Sequence, residues 1–383
     1  MSGPDAHAAP LVMCSKSTWQ PAIRREHSLA LLAAAHGHPV SFLERPLDVR
    51  ALRHAAGARE WWRGLRGVSC AVPGAPGVRM IPQATVLPGH LNGPGEATSN
   101  LLLRHRLGRV PSGAAVVVNV PWQWPATASL GGRRVFDCAD DWSALMPHRS
   151  ARLTQLYGRI AREADAVILA SPSLLERFGG ASAVVVRNGV SEDMLGPLAP
   201  PQDAPRLVHA GTLTPRFDCE LAAALLECLP GWTLDLYGQC QYPRGGDRPG
   251  PELARLLSDH GSRVRWHGVL AREALPAAID GGAVALVLNR PELSLGQDSM
   301  KLYDYAARGR PILTTRFATR LEQEGPPHLI VAEDAREMAD AILESRSEPP
   351  EWREERRRWA EQQRWASRWP AWSAAVFGAS AVG

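Results

Sequence analysis

The feature that most constrains the fold is a repeated alternation of short, valine-rich apolar segments with longer helical segments. Apolar runs at residues 11–14 and 40–43 flank an Ala/Leu-rich stretch at 23–35, which predicts a parallel strand–helix–strand unit. The alternation continues with strands predicted at 114–120, 134–138, 166–170 and 183–187 and helices predicted at 151–163 and 172–178. Short runs of this kind are typical of buried parallel strands.

A Pro-rich stretch at residues 196–205, without apolar periodicity, predicts a linker. Beyond it the pattern restarts, with strands predicted at 206–210, 233–237, 264–267, 284–288 and 312–315 and helices at 219–228, 251–260, 272–279 and 299–308. A chain of 383 residues, 45% of them hydrophobic, is large enough for two cores. We therefore predict α/β architecture with two doubly wound domains, residues 1–197 and 198–346. Ligands of such sheets bind beyond the carboxyl ends of the strands, so the cleft between the domains is the expected site.

The C-terminal segment, residues 347–383, differs in composition from both domains. Residues 351–372 are rich in Arg and Trp and predict one long helix. The basic run within it, residues 353–358, predicts a solvated helical face rather than a patch for nucleic acid. With a formal net charge of only +4, no nucleic-acid partner is expected.

Several function classes are excluded by missing motifs. The six cysteines are scattered without a Cys-x-x-Cys pair, so we expect reduced, mostly buried thiols. The twelve histidines have no metal-ligand spacing, and no metal site is predicted. The P-loop, the Gly-x-Ser-x-Gly elbow and a Gly-x-Gly-x-x-Gly turn after the first strand are absent. Without a signal peptide or a long apolar run we expect a cytoplasmic protein with no integral membrane segment.

Motifs in both halves of the chain carry a family resemblance. The second half contains RLVHAGTLTPRFD at 206–218, PGWTLDLYG at 230–238, VRWHG at 264–268 and KLYDYAARGRPI at 301–312. In this order and spacing they resemble the donor domain of retaining GT-B glycosyltransferases of family four. In the first half, VFDCADDWS at 135–143, EADAVILASPSLL at 163–175 and RNGV at 187–190 resemble a subgroup typified by teichuronic-acid and related cell-envelope transferases. The resemblance implies the GT-B fold, two Rossmann-like domains facing a cleft, with a C-terminal helix returning toward the N-terminal domain.

The resemblance implies a nucleotide-diphosphate sugar, most simply a UDP- or GDP-sugar, as donor substrate, with no metal and no other cofactor. A departing diphosphate gains negative charge, which preorganised cations and backbone N–H groups stabilise. The family places a basic residue after the turn that corresponds to Gly211–Thr212, where this chain has Arg216. Lys301, at the start of the helix beginning near Ser299, is the second implied cation. The alternative for both is an ordinary surface cation.

The family's pair of glutamates, separated by seven intervening residues, maps onto Gly296 and Asp304. The first acid is therefore missing unless Glu292 or Asp298 replaces it. Asp304 is implied to accept hydrogen bonds from the ribose hydroxyls, and the alternative is a helix N-terminal charge stabilised by the macrodipole. The loop 294–299 is implied to hold the sugar hydroxyls and the phosphate, although a plain surface turn would have the same sequence. The implied donor-binding residues of this loop are Gln297, Asp298 and Ser299.

Two further turns belong to the implied donor site. Gly238 either permits close approach of the chain to the ligand or simply forms a structural turn. Gly268–Val269 resembles the turn whose backbone borders the nucleobase. Backbone contacts leave no side-chain signature, so the sequence does not name the base.

Acceptor-binding residues are expected in two loops of the first half, with Ser15, Lys16, Ser17 and Trp19 in the first and Asp137, Asp140, Asp141 and Trp142 in the second. A carboxylate there would orient or deprotonate the acceptor, and Asp141 is the catalytic candidate. Capping of the following helix is the alternative for Asp140 and Asp141. The histidine that many relatives carry after the central strand has no counterpart here, and Asn119 or Trp122 stands in its place.

The resemblance implies a glycosyltransferase that acts with retention on a small-molecule or glycan acceptor through oxygen, nitrogen or sulfur, and we expect a monomer or homodimer. The Ala/Arg/Gly/Pro-rich composition suggests an actinobacterium, and hence antibiotic or envelope-glycan biosynthesis. A catalytically degenerate GT-B binding or scaffold subunit is one alternative, because the first acid is missing. A nucleotide-sugar epimerase is another, although it would need acids and histidines facing the donor sugar.

Overall fold

The computed structural model describes residues 8–19, 23–53, 55–89, 93–108, 111, 113–178, 182–200, 204–242, 248–294, 296–317 and 321–378. Contacts divide the chain into two compact units, one formed by Met1–Arg187 with Arg368–Gly383 and the other by Asn188–Ser367. The second unit thus begins ten residues before the predicted domain start at 198, and the predicted tail, 347–383, is shared between the units.

The elements alternate along the chain as predicted. The strands are β1 Leu11–Cys14, β2 Val40–Leu43, β3 Cys70–Val72, β4 Ala75–Ile81, β5 Ala115–Val118, β6 Arg134–Cys138, β7 Ala166–Leu169, β8 Ala183–Val185, β9 Arg206–Ala210, β10 Thr233–Tyr237, β11 Val264–Gly268, β12 Val284–Val287, β13 Ile312–Thr314 and β14 Leu329–Val331. The α-helices are α1 Arg25–Ala35, α2 Ala55–Arg66, α3 Pro94–Leu107, α4 Trp142–Leu145, α5 Ser150–Glu163, α6 Cys219–Cys228, α7 Pro251–Asp259, α8 Leu275–Asp280, α9 Met300–Ala307, α10 Leu321–Glu324, α11 Ala335–Ser345, α12 Pro350–Gln362 and α13 Trp369–Phe377. In the part of the chain described above, every helix is too short or too polar to cross a bilayer.

The first unit is built on one sheet with the strand order β3-β4-β2-β1-β5-β6-β7-β8. Neighbouring strands run parallel except β3 and β4, which pair antiparallel at the edge. The C-terminal helix α13 packs on β5, β6 and β7. Its Trp372 and Val376 are fully buried, which completes the core of this unit.

The second unit is built on a parallel sheet with the strand order β11-β10-β9-β12-β13-β14. Leu207 of β9 belongs to an apolar cluster with α6, and the next residue, Val208, belongs to a second cluster with Tyr305 of α9. Alternate residues of a strand point to opposite faces, so the sheet separates two buried layers. The predicted α/β architecture of two doubly wound domains is confirmed.

The stretch predicted as a linker is anchored to the second unit instead. Arg308 donates hydrogen bonds to the carbonyl oxygens of Gly196 at 3.1 Å and Pro197 at 2.6 Å, and Arg357 also donates to Gly196 at 3.1 Å. Arg310 donates to the carbonyl oxygen of Pro200 at 3.2 Å. Carbonyl groups outside helices and sheets need donors, and arginine side chains supply them here. Residues 201–203 of the predicted linker lie outside the described residues.

The prediction of one helix over residues 351–372 was wrong. The segment forms α12, a 3-10 turn at Trp365–Arg368, and α13. Between the two helices the backbone pairs with Val190, whose N–H donates to the carbonyl oxygen of Gln363 at 2.9 Å. This tertiary pairing interrupts the helix, and Pro370 is tolerated because it falls in the first turn of α13.

The prediction of a solvated face for the basic run 353–358 was also wrong. Arg356 is fully buried. Its guanidinium pairs with the carboxylate of Glu348, with 3.0 Å between Nη1 and Oε2, and donates to the carbonyl oxygen of Gly309 at 3.1 Å. A buried charge of this kind needs such partners, and they come from segments that helical periodicity does not reveal.

Candidate functional site

The carboxyl ends of three neighbouring strands bring four of the predicted donor residues together in the second unit. Gly211 and Thr212 follow β9, Gly238 follows β10, and Val269 follows β11. These strands are parallel and adjacent, so the residues after them meet at one edge of the sheet. The N–H of Gly238 donates to the carbonyl oxygen of Gly268 at 2.7 Å, which holds two of these turns side by side.

Lys301 lies directly over the turn at Gly211. A Cβ atom at position 211 would be 2.3 Å from Cε and 3.2 Å from Nζ of Lys301, so the lysine occupies the space that a side chain would need. The ammonium also acts on His209 near the end of β9. Burial first, and the charge of Lys301 second, lower the pKa of His209 well below its ordinary value. The structure thus brings the predicted cation to the predicted turn.

Asp304 lies one turn after Lys301 on α9, at a spacing that puts both on one helix face. Burial raises the pKa of its carboxyl to about 7; Arg272 and Lys301 oppose this increase, and Asp193 adds to it. Arg272 and Asp193 themselves form an ion pair, with 2.7 Å between Nε and Oδ2. Neither residue was predicted, because each comes from a different segment and only the folded chain brings them to α9.

The raised pKa of Asp304 predicts a pH-dependent stability. The folded state retains a proton that the unfolded state releases above the ordinary carboxyl pKa of 3.8, so wild-type stability falls as the pH rises toward about 7 and levels off above it. Asp304→Asn has no such proton. We expect the variant to gain stability relative to wild type between about pH 5 and about pH 8. Urea unfolding of both proteins across this range is the measurement, and parallel pH profiles would contradict the burial of this carboxyl.

The loop before α9 is held together by the side chains that were expected to contact the sugar. Oε1 of Gln297 accepts a hydrogen bond from Nδ2 of Asn289 at 3.1 Å. The carboxylate of Asp298 accepts from the N–H of Asn188 at 2.5 Å and from the hydroxyl of Tyr303 at 2.9 Å. These contacts favour a supporting role for both side chains, which leaves backbone N–H groups as the means by which this loop would meet an anion.

Other residues of this loop take different positions. Ser299 is buried at the N-cap of α9, without a side-chain capping bond. Gly296, at the position of the missing first acid, has a φ of +76°, a conformation that favours glycine. Of the proposed replacements, Asp298 is bonded within the second unit as described and Glu292 is exposed. Leu295 lies outside the described residues.

Arg216 is half-buried in the loop between β9 and α6. Its N–H donates to Oγ1 of Thr214 at 3.2 Å, and its carbonyl oxygen accepts from the N–H of Arg290 at 2.7 Å. The next residue, Phe217, pairs with Asn289 beyond the end of β12. Arg216 therefore lies at the same edge of the sheet as Lys301, and a phosphate contact for its side chain stays a prediction.

Gly238 is required by contact of the chain with itself. A Cβ atom there would lie 2.0 Å from the carbonyl oxygen of Gly211, and its φ of +137° is unusual for other residues. Of the two explanations considered for this glycine, the geometry supports a structural turn. The turn nevertheless lies inside the candidate site, because the side chain of Lys301 lies over the same Gly211.

His267 is a candidate that sequence reasoning missed. A bulge in the pairing of β10 with β11 falls at this residue. Its imidazole Nε2 lies 2.7 Å from Oδ1 of the buried Asp235, and the ring stacks on Tyr237 with 4.5 Å between centroids. Bulges often redirect a side chain beside an active site, and Val269, two residues further along, is 48% exposed. The available signal was a histidine preceding the turn glycine, Gly268.

In the first unit, Asp141 caps a helix. Its Oδ1 accepts from the N–H groups of Ser143 at 3.0 Å and Ala144 at 3.3 Å, and its Oδ2 accepts from Nε of Arg177 at 2.9 Å. Of the two roles considered for this carboxylate, these bonds support capping of α4. A catalytic role for Asp141 stays a prediction that the geometry does not favour.

The neighbouring Asp140 joins the two predicted acceptor loops. Its Oδ2 lies 2.7 Å from Nζ of Lys16, and that ammonium also lies 5.8 Å from the ring centroid of Trp142. Lys16 follows β1 and Asp140 follows β6, so both are at the carboxyl edge of the first sheet. Asp140 with Lys16 is therefore the better candidate pair for contact with an acceptor.

The remaining predicted acceptor residues are largely buried. Asp137 is fully buried and bonded to Nε of Arg25 at 2.9 Å and to Nε1 of Trp372 at 3.2 Å. Ser15, Ser17 and Trp19 are each less than one-tenth exposed. Asn119, which with Trp122 stands in place of the relatives' donor-sugar histidine, is equally buried, and Trp122 packs edge-to-face on Trp142 at 4.9 Å. Burial and packing of this kind favour a structural role for these side chains.

Residues 204–347 match the family model of the glycosyl transferases group 1. The match falls within the second unit and includes Lys301, Asp304 and the strand ends around them. No curated protein matches the sequence.

Solved structures similar to the chain over its whole length share its fold. Sucrose-phosphate synthase from Thermosynechococcus elongatus has a TM-score of 0.71 at 17% identity, over 95% of this chain and 97% of that one. HepE from Anabaena in complex with UDP has a TM-score of 0.65 at 15% identity, over 95% and 98% of the two chains. An Escherichia coli structure described as trehalose-6-phosphate bound with UDP-2-fluoro glucose has a TM-score of 0.68 at 12% identity, over 96% and 99%. The predicted GT-B fold is confirmed.

Proposed function

We propose that the protein transfers a glycosyl group from a nucleotide-diphosphate sugar, UDP- or GDP-linked, bound at the carboxyl edge of the second sheet. The observation that carries the proposal is the position of Lys301 over Gly211, with Asp304 one turn further along the same helix face. An ammonium at a strand-end turn suits a diphosphate, and a carboxylate beside it suits ribose hydroxyls. The group 1 glycosyl transferase domain and the UDP-containing similar structures support this assignment.

The chemistry follows from where charge develops. As the bond between the anomeric carbon and the diphosphate oxygen breaks, negative charge grows on the leaving group. Lys301, Arg216 and the N–H groups of the loop before α9 would stabilise that charge without a metal ion. The acceptor atom, oxygen, nitrogen or sulfur, attacks the anomeric carbon with retention, and its proton passes to the departing phosphate.

The first unit would supply the acceptor contacts, with Asp140 and Lys16 rather than Asp141 at their centre. A small molecule or a glycan in antibiotic or envelope-glycan biosynthesis fits the resemblance. We place the reaction in the cytoplasm and expect a monomer or homodimer. None of these features is needed for donor binding, so donor binding is the property to test first.

The proposal predicts a thermal shift with one nucleoside diphosphate. Screening UDP, GDP, TDP and ADP with Mg²⁺ and with a chelator should give an increase in Tm on the order of 5 °C for one base at roughly 100 times its Kd, because ligand binds only the folded state. The shift should be the same with and without Mg²⁺. A shift seen only with Mg²⁺ would refute metal independence, and no shift with any diphosphate would refute the donor site.

A binding or scaffold subunit remains the second candidate, favoured by Gly296 in place of the first family acid. The two candidates differ in turnover rather than in binding. Slow hydrolysis of the matching nucleotide sugar by the purified protein would support an enzyme. Binding without any hydrolysis or transfer to added acceptors would support the subunit.

A further inference from the structure

Exposed apolar side chains are concentrated in one stretch of the first unit. Of the large apolar residues with exposed side chains in the described part of the chain, a group lies between positions 52 and 87. This group is Leu52, Trp62, Leu65, Val68, Val86 and Leu87. Single exposed apolar residues are ordinary, but a cluster of them is typical of a surface that binds a protein or a membrane.

Helix α2 forms the centre of this stretch and is attached to the unit by one side only. Trp61 is 9% exposed, and its Nε1 donates to the carbonyl oxygen of Thr85 at 3.1 Å. A Cβ atom at Gly64 would lie 2.5 Å from the backbone carbonyl carbon of Gln83, so the helix lies tightly against that segment. The next positions around the helix, Trp62 at 53% and Leu65 at 41%, are exposed.

A basic stripe runs beside these apolar residues. At 100° per residue, Arg59, Arg63 and Arg66 follow Leu65 and Trp62 around the helix, and all three are exposed. Residues 48–66 contain five arginines and two acidic residues. We define the α2 face as Trp62, Leu65 and these three arginines.

We propose that the α2 face is a docking surface for an anionic lipid bilayer. The helix would lie in the plane of the interface, with Trp62 and Leu65 in the boundary between headgroups and acyl chains and the arginines on lipid phosphates. Trp suits this boundary because its ring is apolar and its N–H is polar.

Charge complementarity selects the bilayer over a second copy of the chain. A two-fold contact through the α2 face would bring the same three arginines of each copy together, and like charges across an interface oppose association. An anionic surface attracts all three, and the exposed pair that Arg63 forms with Glu60, with 2.9 Å between Nη1 and Oε1, offsets only part of this positive charge. The attraction would weaken with salt, because exposed charges are screened.

Flotation of the full-length protein with vesicles tests the proposal. We expect binding to vesicles that contain phosphatidylglycerol and at least roughly tenfold weaker binding to pure phosphatidylcholine. The triple variant Arg59→Gln, Arg63→Gln, Arg66→Gln should lose about 100-fold in partitioning to the anionic vesicles. The double variant Trp62→Ser, Leu65→Ser should lose roughly tenfold or more.

Leu343→Ser is the matched control, because Leu343 is 49% exposed on α11 of the second unit. It should bind vesicles as wild type does, and unchanged circular dichroism and Tm would show that the variants fold. Absence of wild-type binding to anionic vesicles, or equal binding by the α2 variants, would overturn the proposal. A dimer in light scattering that Trp62→Ser, Leu65→Ser dissolves would overturn it in favour of a second copy.

Discussion

Replacing Lys301 with Ala is expected to lower kcat/KM for glycosyl transfer by about 100-fold to 1000-fold, the cost of removing one preorganised group that stabilises developing charge. Affinity for the nucleoside diphosphate alone should fall by roughly tenfold to 100-fold, because a charge-assisted hydrogen bond is lost. The physical basis is the position of the ammonium at the Gly211 turn, where Nζ of Lys301 lies 3.2 Å from the point that a Cβ atom of residue 211 would occupy. Calorimetric titration with the diphosphate and initial-rate kinetics measure the two effects.

Two variants separate this effect from general damage. Lys16→Ala removes the other lysine, which pairs with Asp140 in the first unit, and should leave diphosphate affinity unchanged. Lys301→Arg keeps the charge, but its planar guanidinium must fit against Gly211, so we expect partial rather than full recovery. Wild-type diphosphate affinity in Lys301→Ala would remove the main support for the donor site.

Gly238→Ala is expected to lower the free energy of unfolding by roughly 3 kcal/mol or more, the range of severe single substitutions. The new Cβ would lie 2.0 Å from the carbonyl oxygen of Gly211, a backbone atom that only a shift of the strand ends can move. Because the side chain of Lys301 lies against Gly211, a shift of Gly211 should displace the ammonium, and the variant should also bind the diphosphate more weakly. Denaturant unfolding and calorimetric titration give both numbers.

Gly231→Ala is the matched control for this substitution. Gly231 precedes β10 with a φ of +82°, and a Cβ atom there would meet nothing within 4 Å. Its cost should be about 1 kcal/mol, the ordinary penalty of this backbone conformation. Equal losses in the two variants would mean that backbone strain, rather than the contact with Gly211, explains the cost at position 238.

The sequence predicted the parallel strands well because each one is a short apolar run of its own. It assigned no elements to residues 44–113, where the structure has α2, β3, β4 and α3. There the buried side of α2 consists of Trp61 and Gly64 alone, three of the six buried residues of α3 are polar, and β3 is an edge strand, so no long buried apolar segment stands out in the sequence. The break between α12 and α13 could not be predicted from the local sequence, because it depends on backbone pairing with Val190, which is more than 170 residues earlier in the chain.

The site was predictable where it depends on local turns and not where it depends on tertiary contacts. Gly211 and Lys301 were implied by the resemblance, whose motifs lie at a strand end and a helix start, and Gly238 follows from its place at the end of a strand. Asp193 and Arg272, which surround Asp304, come from segments with no motif of their own. One overlooked signal is that only two of the 43 basic residues are lysines, and both lie at the carboxyl edge of a sheet.

The placement of α13 has a consequence for the order in which the protein is made. Trp372 of α13 is buried against the first sheet and bonded to Asp137, yet it leaves the ribosome only after the whole second unit has been made. The second unit is complete once Ser367 has emerged, whereas the first must wait until α13 has emerged as well. A premature stop just after Ser367 would therefore spare the later-encoded unit and leave the earlier one without its cover.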